Sequence, residues 1–329
     1  MKVAGIDVAA QSVTVVIRTG EKNAKPDAVV NTPSGHQALL KRLTKAGVER
    51  VCLEATGTSH LDLALALVDG GMALMVVNPK ASKRFAEALL TRTKTDAVDA
   101  AVLAEFAQRM PFEAWQRPER AALELRAYAR RLNALTEARA QAKNQRHAWQ
   151  QSTTTPALIL EEVQLAIRET GARIAQVRGA ALALIEADGA LQDTFALLTS
   201  VKGIAVASAI QLMGELLVLP PDMRAKQWVA MAGLDPRQAT SGTSVNKPPR
   251  VSKAGNRYLR RALYMPALCA ARHEEHVKGY YHHLIKDRGL KKIQAVCAVM
   301  RKLLHAIHGM LKTRKPFDGQ RFYVFPQAA

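Results

Sequence analysis

Residues 49–79 constrain the fold more than any other stretch: "ERVCLEATG", "SHLDLALALVDGG" and "MALMVVNP" follow one another, with only Thr58 between the first two. Two β-rich apolar runs flank a segment with helical spacing, which reads as strand, helix, strand. Strands joined through a helix run parallel in one sheet, and such sheets are covered by helices. Three strand-like segments precede the unit: "KVAGIDVAA", "SVTVVIRTG" and "DAVVNTP". The first two carry the β-branched content and glycine punctuation of a hairpin. A helix, "GHQALLKRLTKAG", separates them from the βαβ unit, and "ASKRFAEALL" reads as another helix after it. Residues 1–110 therefore predict a mixed sheet with helices.

From about Pro118 the pattern becomes helical throughout. "ERAALELRAYARRLNALTEARAQAKNQRHAWQQ" is one long helix, "STTTP" interrupts it, and a second runs from about Ala157 to Glu186. The pair predicts a helical hairpin or coiled-coil arm, either intramolecular or used for dimerisation. "LLTSVKGIAVASAIQLMGEL" then reads as helix, turn at Gly203, helix. Such a turn either offers backbone N–H groups to a phosphate, as in a helix-hairpin-helix, or is a plain αα-turn; Ala205 stands where the former has a second glycine. The expected domains are 1–125, a helical arm over 126–190, and a basic region over 191–329.

Charge divides the chain in the same place. The net charge is +19, and residues 191–329 hold 22 of the 47 basic residues but only 8 of the 28 acidic ones. A balance this basic points to a nucleic-acid partner, with the C-terminal half as the electrostatic footprint. Aromatic residues make up 5% of the chain, so stacking platforms are not advertised. Cys52, Cys269 and Cys297 are scattered in apolar runs without a CxxC, which predicts reduced core thiols and a cytoplasmic, nucleoid-associated protein. No apolar run reaches the length of a membrane span, so no membrane partner is expected.

Four acids stand out against this basic background. Asp7 sits within an apolar strand, where a buried carboxylate needs a partner or a metal. Glu54 closes another strand just before a glycine turn, at the end where open sheets gather ligands. In "TRTKTDAVDAAVLAEFA", Asp96 and Asp99 are three apart and share a helix face. Singly they read as a sheet-edge charge, a turn residue and a helix cap. Together they suit two divalent ions in phosphodiester chemistry, which requires hard oxygen ligands.

"GIDVA", "LEATG" and "KTDAVDA" resemble the Asp-Glu-Asp-Asp signature of the RuvC-like, RNase H-fold domain in insertion-sequence transposases of family 110, and Piv-type DNA invertases are similar. "AGLDPRQATSGTSV" and "RVSKAGNRYLRRALYMPA" resemble that family's C-terminal motifs. The resemblance implies an α/β plus α chain: an RNase H-like catalytic domain, a coiled-coil arm and a mainly helical transposase domain. It implies a DNA recombinase in which Asp7, Glu54, Asp96 and Asp99 bind two Mg²⁺ ions and Ser241 takes the cleaved strand. It further implies donor and target DNA, a structured guide RNA that pairs with both, and dimers of dimers that join one protomer's acids to another's serine.

Around Ser241 the sequence supplies Lys247, Arg250 and Lys253, cations able to steady a phosphate in transit. Ser252 reads as the N-cap of the following helix, on which Arg257, Arg260 and Arg261 are candidate phosphate contacts. Lys202 and Gly203 are candidates at the αα-turn. "HEEH", residues 273–276, offers two histidines at i, i+3 but nothing to complete a zinc site. The basic and aromatic tail "KTRKPFDGQRFYVFPQ" suits docking or nucleic-acid contact. Two other functions remain: a RuvC-like nuclease or junction resolvase needing no serine, and a non-catalytic scaffold, which the four acids argue against. Actin-like ATPases also begin with a GID-type strand, but no Gly-rich phosphate loop follows here.

Overall fold

The computed structural model describes residues 1–241 and 245–325. The chain divides into two compact units, Met1–Arg117 and Pro118–Ala329.

The first unit is built on a six-stranded sheet. β1 (Lys2–Val8) and β2 (Ser12–Thr19) form an antiparallel hairpin, and β3 (Lys22–Asn23) and β4 (Asp27–Val30) pair with β2. α1 (Pro33–Lys45) leads to β5 (Arg50–Glu54), α2 (Leu61–Asp69) and β6 (Leu74–Val77), the expected βαβ unit. β5 lies parallel to both β1 and β6, giving the order β3-β2-β1-β5-β6. Antiparallel leading strands followed by parallel strands with helices make the RNase H-like arrangement. α3 (Pro79–Ala88) and α4 (Asp96–Arg109) complete the unit.

The period-two alternation of strand side chains splits this sheet into two faces. Ala4, Ile6, Val51, Leu53 and Leu74 pack with Leu39 and Leu43 of α1 and Leu63 and Leu67 of α2. Val3, Cys52, Met75 and Val77 pack with Leu103, Ala104, Phe106 and Ala107 of α4. β1 is thus central rather than at an edge, and α4 covers one of its faces.

The second unit is mainly helical. α5 (Arg120–Gln150) and α6 (Ala157–Glu186) pack against each other as a long hairpin, α5 being roughly 46 Å long at 1.5 Å per residue. Their proximal turns, including Leu125, Ala129, Ala181 and Ile185, join the unit's core. Near the other end Trp149, Leu158 and Ile159 are exposed. α7 (Gly189–Thr199), α8 (Val206–Leu216) and α9 (Ala225–Met231) precede an antiparallel pair, β7 (Pro236–Ser241) and β8 (Val245–Val251). α10 (Arg257–His273), α11 (Glu275–Lys286), α12 (Lys292–Thr313) and the short α13 (Gly319–Phe322) follow. Among the described residues no helix is long and apolar enough to cross a membrane.

Candidate active site

Backbone packing decides where the acids go. In the β1–β5 ladder the last registered pair is Ile6 with Leu53, so Asp7 and Glu54 come next on neighbouring parallel strands. By the same alternation that turns Ile6 and Leu53 to α1 and α2, Asp7 and Glu54 belong to the face covered by α4. Gly5 brings α4 close: a Cβ there would stand 2.0 Å from the Ala100 carbonyl oxygen and 2.1 Å from the Ala104 amide nitrogen. Only a glycine, facing the small Ala100 and Ala104, permits that approach. The first turn of α4, carrying Asp96 and Asp99, is thereby held beside the end of β1.

Thr95 is the N-cap of α4, its hydroxyl accepting from the Val98 amide at 3.3 Å. Asp96 is therefore not the cap, and both acids are available for other work while still suiting the positive end of the helix. Burial, reinforced by the charges of Asp96, Asp99 and Glu54, raises the Asp7 carboxyl from 3.8 to about 6, against a lowering hydrogen bond from the Val8 backbone. The four carboxylates thus share one field of like charge.

Several supporting residues gave no signal in the sequence. Ser82 of α3, buried, donates its hydroxyl to Glu54 Oε2 at 2.5 Å. Asn31 donates through its amide to the Ala9 carbonyl at 2.9 Å and the Ser59 carbonyl at 3.2 Å, tying together the loops that follow β1 and β5. Its Oδ1 accepts from Nε2 of the buried His36 at 2.7 Å, which fixes the amide's orientation. Asn31 thus braces the two acid-bearing strand ends from behind.

The donor set is all hard oxygen, as magnesium prefers. Among the described residues no three His, Cys, Asp or Glu side chains stand close enough to hold a metal ion as they are. The acids share a sheet face and an electrostatic field. Burial first, and then repulsion from the other three acids, raises the Asp7 carboxyl, and a divalent cation bound there would relieve the repulsion.

The serine loop is built differently. Ser241 ends β7 and is in register with Val245, so it sits at the tip of the β7–β8 hairpin. The side chains of Ser241 and Lys247 lie outside the described residues. The hairpin base is clasped by backbone: Ser252 N–H donates to the Asp235 carbonyl and Lys253 N–H to that of Gly233. Gly255, at φ +116°, packs so tightly that a Cβ would stand 2.2 Å from the Met231 carbonyl oxygen. That turn delays the start of α10. Its N-cap is therefore Asn256, accepting from Tyr258 and Leu259 amides at 2.9 and 3.1 Å. Ser252, expected as the cap, instead donates its hydroxyl to Asp235 at 2.5 Å.

The remaining candidates separate into exposed and engaged. Lys202, Arg250, Lys253 and Arg257 are exposed. Arg260 donates to the Ala232 carbonyl at 2.8 Å, and Arg261 pairs with Glu137 of α5. Gly203, at φ +121°, presses on α10, where a Cβ would stand 2.8 Å from the Ala270 amide nitrogen. A buried network lies beneath: Glu215 of α8 takes two bonds from Arg130 of α5, at 2.8 and 3.1 Å, and one from Asn256 at 2.6 Å. It links the arm's base to the residue that starts α10.

Comparison with known families agrees with both halves. Residues 4–153 match the DEDD transposase model of IS110, described as a transposase, and residues 195–282 match the transposase IS116/IS110/IS902 family. The chain belongs to the IS110 transposase family. It is a DNA transposase of the recombinase class by that membership. The pilin gene-inverting protein of Moraxella bovis is 27% identical over 269 residues, covering 81% of each chain. That of Moraxella lacunata is 27% identical over 273 residues, again 81% of each. Among solved structures, Thermus thermophilus RuvC aligns over 35% of this chain and 99% of its own, at 17% identity and a TM-score of 0.28. A likeness at that score carries no functional inference.

Proposed function

We propose that Asp7, Glu54, Asp96 and Asp99 together hold two magnesium ions, and that Ser241 is the nucleophile of a strand-exchange reaction guided by a structured RNA. The observation that carries the first part is the placement of both strand acids on the one sheet face covered by α4, whose first turn supplies the other two. Bound there, the ions would neutralise phosphate charge and lower the barrier to attack by a weak hydroxyl nucleophile. Thr95 caps the helix, which leaves Asp96 and Asp99 for the ions, while Ser82 and Asn31 orient Glu54 and the strand ends.

In the reaction so read, the Ser241 oxygen forms a bond to phosphorus as the bond to one strand oxygen breaks. The serine proton is lost and the departing strand leaves as a hydroxyl. An incoming hydroxyl later reverses the exchange and frees the serine, so the number of phosphodiester bonds is conserved without external energy. The exposed Arg250, Lys253 and Arg257 suit phosphate contact near the hairpin, and Lys202 with Gly203 suits a further contact at the αα-turn. The serine of one copy serves the acids of another in a dimer of dimers. The curated relatives are named as gene inverters, and site-specific inversion or insertion is the same strand exchange with different ends.

Three variants test the reading on a suicide DNA substrate. Asp99→Ala should abolish cleavage and retain nucleic-acid binding, since removing a negative charge does not weaken affinity for an anion. Ser241→Ala should bind but form no covalent protein–DNA adduct, and an adduct from it would place the nucleophile elsewhere. Free ends without any adduct from the unaltered protein would favour a resolvase. Recombination that survives complete removal of RNA would remove the guide from the account.

A further inference from the structure

An open cavity of about 440 Å³ lies on α11, and Lys278, Gly279, His282, Lys286, Tyr323 and Phe325 line it. Lys278, His282 and Lys286 recur every four residues and are exposed, so α11 presents one basic ridge. The acids of the lining are Glu275 and Asp287, and Asp287 is engaged by His283 at 2.7 Å. The volume falls within the roughly 300–1,000 Å³ of small-ligand sites.

The aromatic wall is seated by specific contacts. His276 Nδ1 donates to the Tyr323 carbonyl at 2.7 Å, which fixes the segment after α13 against α11. Phe325 lies over Gly279, where a Cβ would stand 2.3 Å from the ring. Glycine is unfavourable inside a helix; here its missing side chain makes room for the ring. Tyr323 stands edge-on to Phe325 at 5.7 Å, and Phe325 keeps 42% of its surface exposed. A braced, half-exposed ring beside Lys278 and Lys286 offers a stacking face and phosphate contacts together.

We propose that this cavity takes one nucleotide unit of a single-stranded nucleic acid, the base stacking on Phe325 and the flanking phosphates meeting Lys278 and Lys286. Bases in a duplex hide their faces in the stack, so only an unpaired strand can use the ring. The inference goes beyond the acid and serine assignments and does not rest on them.

The test measures binding of the full-length chain to fluorescent oligo-dT, oligo-rU and a mixed-sequence duplex, without magnesium or cleavage. Phe325→Leu should weaken single-strand binding about tenfold and leave duplex binding and the salt dependence unchanged. The double variant Lys278→Gln, Lys286→Gln should lower the slope of log affinity against log salt by roughly 1.4, or about 0.7 per phosphate of a single strand. Tighter loss on rU than on dT would assign the site to RNA, and the reverse to DNA. Gly279→Ala favours the helix yet displaces the ring, so it should melt no lower than the unaltered protein and still lose single-strand affinity. If Phe325→Leu and Gly279→Ala both bind single strands normally, or lose duplex binding equally, the proposal is wrong.

Discussion

In the first unit the candidate acids hang from two central strands and a helix locked together at Gly5, whereas in the second the candidate serine ends a two-stranded hairpin clasped by backbone bonds at its base. Two carboxylates, one in each unit, also contrast. Glu215 is almost fully buried and satisfied by Arg130 and Asn256. Asp7 is half-buried and feels the charges of three more carboxylates. Glu215 ties its own unit together, whereas Asp7, buried near like charges, carries a cost in stability that a bound cation would offset.

The largest effect is expected in the second unit. Glu215→Ala leaves the Arg130 charge without its carboxylate and strips a bond from Asn256, so it should destabilise by about 3–5 kcal/mol. Chemical denaturation would read this, and a loss under about 1 kcal/mol would show that the network is not holding α5 to α10.

Next comes Gly5→Ala in the first unit. The added Cβ collides with α4 backbone, which cannot yield as a side chain could, and about 3 kcal/mol should be lost. Even where the variant folds, α4 should shift and cleavage fall with it. Unchanged stability would break the claim that close backbone approach positions Asp96 and Asp99.

Asp7→Asn should act in the opposite direction and sharpen the contrast between the units. The folded Asp7 carboxyl titrates near 6, above its ordinary 3.8, so folding takes up a proton between those values. Metal-free stability therefore falls as pH rises through that window, and the penalty is complete above about pH 6. In chelator at pH 7.5 the variant should be more stable by about 1–2 kcal/mol, discounted for screening at a half-exposed group, with the difference gone near pH 3.5. A variant less stable than the parent at pH 7.5 would contradict the shared field.

The smallest effect is expected at Ser82. Ser82→Ala frees Glu54 Oε2 without removing a charge, and divalent-ion affinity should weaken about tenfold with stability little changed. An ion titration followed by a melt separates these outcomes, since a merely structural serine would move the melt alone.

The legible parts of this chain were those with a periodic or compositional signature. β-branched content with glycine punctuation marked β1 and β2, apolar runs around a helical segment marked the βαβ unit, and the long Ala, Leu and Arg-rich runs marked α5 and α6 on either side of "STTTP". What stayed hidden depended on contacts distant in sequence. Asn31 braces Ala9 and Ser59 from just past the end of β4, and Ser82 is one small residue inside an amphipathic helix. Gly5 did carry a signal, a glycine within an apolar strand, which marks close backbone approach. Ser252 misled because a serine before a helical run is a good cap by type, and only the Gly255 turn moves the start of α10 to Asn256.

Counting bound ions tests most directly whether four carboxylates from β1, β5 and α4 act as one cation site. Electron paramagnetic resonance of Mn²⁺ added to the full-length protein counts bound ions directly, apart from any catalysis. About two ions per chain should bind at pH 7.5, with binding lost in the combined variant Asp7→Asn, Asp99→Asn. Binding undiminished in that variant, or no bound Mn²⁺ at millimolar concentration, would contradict it.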